Sequence, residues 1–328
     1  MKQRSLGMHG PVVSALGLGC VGMTGVYGQP VDEDEAIATI RYSADLGINL
    51  LDTADAYGPH TNELLIGRAI RGLRDRFVVC SKVGQIITAP ASIGINGHPS
   101  YIRSAIDASL KRLGVDFLDI YYLHRVDPKV PVEESVGAMS ELVTAGKVRW
   151  LGLCETTADN LERAHKVHRI VALQSEYSLW ARDPEGLVLE TCRRLGVALV
   201  AYSPLGRAML TGHLKRETDF AENDGRRHFP RFQGENFRAN LKPVEMLSQL
   251  AASHHCTAAQ MALAWLLARG PDVIPIPGTK QRRHLEENAR ATELALSTDE
   301  VDSLDEMFGA GKIVGPRYSE AMKRSWTA

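Results

Sequence analysis

Eight short apolar runs, each followed by an amphipathic helical pattern, constrain the fold of this chain more than any other feature. The runs lie at about 16–21, 48–52, 77–81, 118–123, 148–153, 171–175, 197–202 and 273–276. Helical patterns follow at about 33–46, 61–71, 100–113, 132–145, 157–168, 184–195, 257–268 and 281–290, with one more near 242–253 ahead of the eighth run. Strand-then-helix repetition reads as βα units around a parallel sheet. Eight such units in 328 residues, 44% of them apolar, predict one α/β domain over 1–328, a (β/α)₈ TIM barrel. Helix-end signals agree: Asp32 and Thr61 are read as N-caps, and Gly47, Gly114, Gly146 and Gly196 each follow a helix end.

Outside the repeat, residues 2–16 read as a β-hairpin around Gly7-Met8-His9-Gly10-Pro11. Additional helices are expected toward the C-terminus. Gly17-Leu18-Gly19-Cys20-Val21-Gly22 has the G-x-G-x-x-G spacing of a dinucleotide fold, but no helix follows at once, as that motif requires. Three segments are candidate walls for a site: a long irregular stretch at 203–241, the glycine-punctuated 84–98 and the tail 309–328. Tyr27, Trp180, Phe229 and Phe232 are candidate pocket-wall aromatics.

Composition excludes several classes of function. A formal net charge of −1 offers no whole-chain basic field for nucleic acid or anionic lipid. Cys20, Cys80, Cys154, Cys192 and Cys256 are odd in number, widely spaced and without a C-x-x-C pair, which favours a reducing compartment. No signal-peptide core and no membrane-length apolar run is present. A cytoplasmic protein is therefore expected, with neither nucleic acid nor membrane as a partner.

In a (β/α)₈ barrel the chemistry sits at the carboxyl ends of the strands. The second run ends at Asp52, the third at Ser81-Lys82 and the fourth at Leu123-His124, with Tyr57 in the loop after Asp52. A structural Asp–Lys pair beside a core histidine accounts for three of these residues. A catalytic set accounts for all four. A phenol has a pKa of ~10 and is a poor acid at neutral pH unless a neighbouring ammonium stabilises its anion. Lys82 is expected to lower the Tyr57 pKa, Asp52 to hold Lys82 charged, and His124 to donate a hydrogen bond to a carbonyl oxygen. Such a set suits carbonyl reduction, in which hydride reaches carbon while Tyr57 protonates oxygen.

The set resembles the Asp-Tyr-Lys-His tetrad of the aldo-keto reductases. The likeness extends through Leu16-Gly17-Leu18-Gly19, Asn49 to Gly58, Gly146 to Gly152, Gln174 to Ser178, Ala201 to Gly206 and Ile276 to Thr279. Pro230-Arg231-Phe232 is similar to a loop of the bacterial and plant branch. The resemblance implies NADPH across the barrel mouth and a small-molecule carbonyl substrate. It also implies that a monomer is the expected state. Gln174 matches the position that binds the nicotinamide carboxamide and Tyr202 the one that stacks on the ring. Ser203, Pro204, Leu205, Arg207 and Leu210 match the loop along the pyrophosphate. Gly278, Thr279 and Lys280 open the last barrel helix, whose N-terminus suits a phosphate. Lys280 is implied to meet the 2′-phosphate, and Glu287 and Asn288 the adenine.

Three residues depart from the family pattern. Cys154 stands where a serine usually contacts the carboxamide, which leaves a poorer contact or a redox-sensitive thiol. His284 replaces an arginine or glutamine near the 2′-phosphate, and Ala208 replaces a frequent glycine. Two rival readings remain. Catalysis by a metal is disfavoured because His165, His168, His254 and His255 do not lie at strand ends with convergent carboxylates. An NADPH-binding sensor with little turnover has the same tetrad, and only turnover separates it from an enzyme.

Overall fold

A computed structural model describes residues 1–25, 32–89 and 92–320. All eight expected runs form strands of one parallel sheet. In chain order they are β3 (Leu18–Gly19), β4 (Leu50–Asp52), β5 (Val78–Val83), β8 (Leu118–Leu123), β9 (Val148–Cys154), β10 (Ile170–Glu176), β11 (Ala198–Tyr202) and β12 (Val273–Pro275). Two antiparallel pairs stand apart from it. β1 (Gln3–Ser5) and β2 (Val12–Ser14) are the expected N-terminal hairpin, and β6 (Gln85–Ala89) pairs with β7 (Ser92–Ile95) inside the segment read as a glycine-rich wall.

The sheet curls until its edges meet. Gly17 N–H donates to Pro275 O at 2.9 Å and Gly19 N–H to Pro277 O at 3.2 Å, with a parallel bridge between Gly19 and Gly278. An eight-stranded parallel sheet joined edge to edge in this way fits a (β/α)₈ barrel. The G-x-G-x-x-G spacing takes its physical meaning here. A Cβ on Gly17 would lie 2.8 Å from Ile276 Cγ2, and one on Gly19 would lie 2.8 Å from Ile276 O. Glycine is needed where the first strand meets the last. A 3₁₀ turn at Val21–Thr24 follows, not the α-helix of a dinucleotide fold.

Ten α-helices are present among the described residues: α1 (Glu33–Asp45), α2 (Thr61–Ile70), α3 (Pro99–Leu113), α4 (Val132–Thr144), α5 (Ala158–Val167), α6 (Leu187–Leu195), α7 (Gly234–Ser253), α8 (Ala258–Ala268), α9 (Arg282–Arg290) and α10 (Thr298–Met307). Asp32 caps α1 by accepting from the Asp34 and Glu35 amides. Thr61 does not cap α2: it is the first helical residue, and its hydroxyl turns back to Gly58 O at 2.5 Å while His60 takes the cap position at φ 68°. α7 starts at Gly234, well before the expected 242. Proline is most at home in the first turn of a helix, yet Pro243 is buried inside this one. α10 is an added C-terminal helix, whose first turn is capped by a Ser297/Glu300 capping box. No described helix is long and apolar enough to cross a membrane.

Period-two alternation along the strands divides the apolar residues into two sets. Leu51, Val79, Tyr121, Leu151, Leu173 and Leu199 pack outward in the larger core with the helices. Leu50, Cys80, Ile120, Tyr122, Ala172, Val200 and Ile274 fill the interior, together with Leu6 and Val13 of the hairpin. The inward residues at the carboxyl ends of these strands are polar: Asp52, Lys82, Gln174 and Glu176, all buried.

Interior packing around Tyr122 depends on one missing side chain, because a Cβ on Gly152 would lie 2.3 Å from Tyr122 Cε1. Gly152→Ala is expected to destabilise by ~1–3 kcal/mol through overpacking. The change would be read as a lower urea midpoint at unchanged slope.

Candidate active site

Asp52, Lys82 and His124 meet because β4, β5 and β8 are adjacent and in register. Asp52 lies beside Cys80, Lys82 beside Tyr122, and the His124 amide donates to Val83 O at 2.8 Å. Lys82 is fully buried and its three protons all have acceptors: Asp52 Oδ1 at 2.5 Å, Thr53 O at 2.8 Å and Tyr57 Oη at 3.1 Å. The other Asp52 oxygen accepts from Gln174 Nε2 at 2.7 Å. Burial disfavours the Lys82 charge, yet Asp52 and Tyr57 outweigh it and hold the ammonium above its usual pKa range. The Tyr57 and His124 rings meet edge to face at 5.7 Å.

Tyr57 differs from the sequence expectation. Burial of its hydroxyl is the dominant influence and outweighs the opposing Lys82 ammonium, so the phenol is pushed up to about 12 rather than lowered. Part of the ring stays exposed. Lys82 therefore limits the rise without reversing it, and Tyr57 keeps its proton at neutral pH. Burial, then Lys82 and Arg125, lower His124 well below the usual imidazole range. A neutral imidazole carries one N–H to donate, and Nδ1 is buried without a partner.

Above these residues a cleft of about 600 Å³ runs along the mouth, within the ~300–1,000 Å³ range usual for small-molecule sites. Asp52, Tyr57 and His124 line it, together with Cys154, Gln174, Tyr202, Ser203, Pro204, Leu205, Arg207, Gly278, Thr279, Lys280, His284, Glu287 and Asn288. Lys82 lies beneath the floor. Leu210 is fully buried and is not among the lining residues. Trp180 and Phe232 pack on each other at 5.8 Å, and Phe229 packs on Tyr318 at 5.9 Å. None of the three lines the cleft, and Tyr27 lies outside the described residues. No described residue of 84–98 lines it either.

The departures from the family pattern have distinct local outcomes. Cys154 is buried, and its thiol is pushed up to about 12 by that burial, so it holds its proton. Ala208 adopts φ 76°, with Ser203 at 48° and Arg207 at 55°. Ala208 thus keeps the left-handed conformation that a glycine adopts freely, and a loop strained at three positions lines the cleft. His284 Nδ1 lies 3.2 Å from Glu287 Oε2. Among the described residues no group of three or more His, Cys, Asp or Glu is placed to hold a metal ion.

Several lining residues escaped the sequence reading. Arg125 and Glu155 follow His124 and Cys154 directly, so reading one position beyond each strand end would have found them. Arg226 lies in a stretch without periodicity; it pairs with Asp224 through bonds of 2.9 and 2.6 Å and donates to Arg207 O at 3.1 Å. Cations of Arg207, Arg226 and Lys280 thus border one side of a cleft whose glycines Gly19, Gly22 and Gly278 leave backbone accessible. This combination suits a long anionic ligand.

Comparison with known proteins identifies the family. The Aldo/keto reductase family profile matches residues 15–308. A curated relative, "Probable aldo-keto reductase 1" of Glycine max, is 42% identical over 323 residues, covering 98% of this chain and 93% of its own. The chain belongs to the aldo/keto reductase family. Among solved structures, the glycerol dehydrogenase of Gluconobacter oxydans superposes with a TM-score of 0.85 at 27% identity, covering 97% of each chain. An aldo/keto reductase from Klebsiella pneumoniae, solved with NADP and acetate, gives 0.74 at 28% identity, over 97% of this chain and 99% of its own.

Asp55, buried just behind the Tyr57 loop, provides a test of the electrostatics. Burial, then the Glu63 carboxylate, pushes its carboxyl up to about 7, and Oδ1 has no hydrogen-bond partner. In the unfolded chain an aspartate loses its proton near ~3.9. Between these values unfolding releases a proton, so stability falls as pH rises from about 4 to about 7. Asp55→Asn is expected to flatten that slope and to be more stable than the wild type at pH 8 by urea titration.

Proposed function

We propose that this chain is an NADPH-dependent carbonyl reductase acting on aldehydes, with ketones as a second class, and that Tyr57 is its general acid. The observation that carries this reading is Lys82, bonded at once to Asp52 and to the Tyr57 hydroxyl on the floor of a cleft bordered by cations. NADP and NADPH in the Klebsiella pneumoniae relatives support the choice of cofactor. Residues 1–328 are taken to act as one domain, of the branch with the Pro230-Arg231-Phe232 loop.

The residues present fit the cofactor. Arg207, Arg226, Lys280, Gln174 and Tyr202 line one cleft; Arg207 and Arg226 would hold the pyrophosphate, Lys280 the 2′-phosphate, and Gln174 and Tyr202 the nicotinamide. When bound, the dihydronicotinamide supplies hydride to the carbonyl carbon. The chain supplies the rest. Neutral His124 donates its N–H to the carbonyl oxygen and polarises it. Tyr57, loaded with its proton, gives it to that oxygen as negative charge grows there. An alkoxide is a stronger base than a phenolate, so the transfer runs downhill even from a phenol at about 12. Lys82 then faces the phenolate at 3.1 Å and stabilises it, and Asp52 keeps Lys82 aimed.

Tyr57→Phe is expected to lose ~10²–10⁴ in kcat while binding NADPH with unchanged affinity by fluorescence titration; retained turnover would remove the proton-donor role. A wild-type protein that binds NADPH yet oxidises it with no carbonyl across a broad panel would favour the sensor reading. Cofactor preference rests on Lys280. Lys280→Ala is expected to raise the KM for NADPH by about tenfold or more, the scale of one charged hydrogen bond, and to leave the KM for NADH nearly unchanged.

A further inference from the structure

The Pro-Arg-Phe loop and the C-terminal tail take no part in the chemistry above, yet one fastens the other across the barrel mouth. Arg231 donates to Trp180 O at 2.6 Å and to Gly315 O at 3.0 Å. Asn240 on α7 pairs with the backbone of Val314 in both directions, at 2.9 and 2.7 Å. Gly315, at φ 91°, turns the chain where a Cβ would lie 2.8 Å from Asn236 Nδ2. Beyond Pro316, the side chains of Arg317 and Tyr318 turn into the rim. Arg317 bonds Glu155 at 2.6 Å, and Tyr318 is buried.

Tyr318 meets three groups through one oxygen. Its hydroxyl lies 3.1 Å from Glu176 Oε2, 3.2 Å from Arg207 Nη2 and 3.1 Å from the Tyr202 hydroxyl. A phenol has one proton and two lone pairs, a carboxylate only accepts and a guanidinium only donates. The directions follow: Tyr318 donates to Glu176, accepts from Arg207, and accepts from Tyr202. Burial raises both phenols, so both keep the protons this arrangement requires. Arg207 also packs against the ring pair of Phe229 and Tyr318, its Cζ 4.3 Å from the Phe229 centroid and 5.6 Å from that of Tyr318. Arg207 belongs to the strained loop, whose left-handed residues persist only where surrounding contacts hold them.

We propose that Tyr318 is a positioning residue for cofactor binding: the tail delivers its hydroxyl to the rim, where it fixes the Tyr202 ring and the Arg207 guanidinium relative to Glu176. The proposal rests on the carbonyl reductase reading, in which Tyr202 and Arg207 touch the cofactor. Tyr318 itself is not among the residues that line the cleft. Its hydroxyl sets the orientation of two groups in advance of binding, so its loss appears as weaker cofactor affinity.

The test is a double-mutant cycle on NADPH affinity. Tyr318→Phe keeps the ring and its packing, and is expected to raise the Kd for NADPH about tenfold while the KM for the carbonyl at saturating NADPH stays within about twofold. In a Tyr202→Phe background the same change is expected to cost clearly less, because the shared bond is already gone. Tyr202→Phe also probes that bond from its other end should Tyr318→Phe fold poorly, as monitored by melting temperature. An unchanged Kd in a folded Tyr318→Phe, or full additivity in the cycle, overturns the positioning role. A wild-type protein that binds no NADPH overturns the functional reading beneath it, and with it the proposal.

Discussion

A lysine with no exposure to solvent, inside a barrel, is the constraint around which the mouth of this structure is arranged. An isolated buried ammonium costs several kcal/mol, and Lys82 offsets this by donating one hydrogen bond each to Asp52, Thr53 O and Tyr57. Asp52 in turn has both oxygens engaged, the second by Gln174 reaching from β10 across the barrel. Strand order, register and the turn after Asp52 must all hold for these groups to meet. The same geometry that makes burial tolerable aims an ammonium at a phenol.

Around this pair the interior changes character from bottom to top. Lower layers are apolar and stoppered by Leu6 and Val13 of the hairpin. The top layer is polar and open to the cleft. Beyond it lies a rim in which Arg207 and Arg317 pair with Glu155 and Glu176. The tail supplies Arg317 and Tyr318 to this network, which engages Glu176 Oε2 and leaves Glu176 Oε1 buried without a hydrogen bond. The rim therefore couples Arg317 and Tyr318 of the tail to the end of β11.

Much of this was legible in advance because its causes are local. All eight strands and the helices between them were readable, since alternation and helical period are written in consecutive residues. The strand-end candidates Asp52, Lys82 and His124 followed once the barrel was recognised. Other features were not legible. Thr61 looks like a cap by composition, but the turn from Gly58 puts it one position into α2. The helix expected near 242–253 begins instead at Gly234, and tertiary packing buries Pro243 in its middle. The acidity of Tyr57 was misjudged because charge is visible in a sequence and desolvation is not: Lys82 could be named, whereas the burial that outweighs it depends on the whole site.

By itself, then, the sequence determined the repeat, the inward and outward faces of each strand, and the set of side chains that could reach the mouth. These depend on periodicities of two and about 3.6 residues, which need no knowledge of distant neighbours. Only the tertiary structure decided which of those side chains touch and which way their protons point. Tyr202 and Tyr318 lie 116 positions apart and share a hydrogen bond because Arg231 and Asn240 fasten the tail over the barrel. No local pattern encodes that meeting, because it exists only once the sheet has closed and α7 has packed.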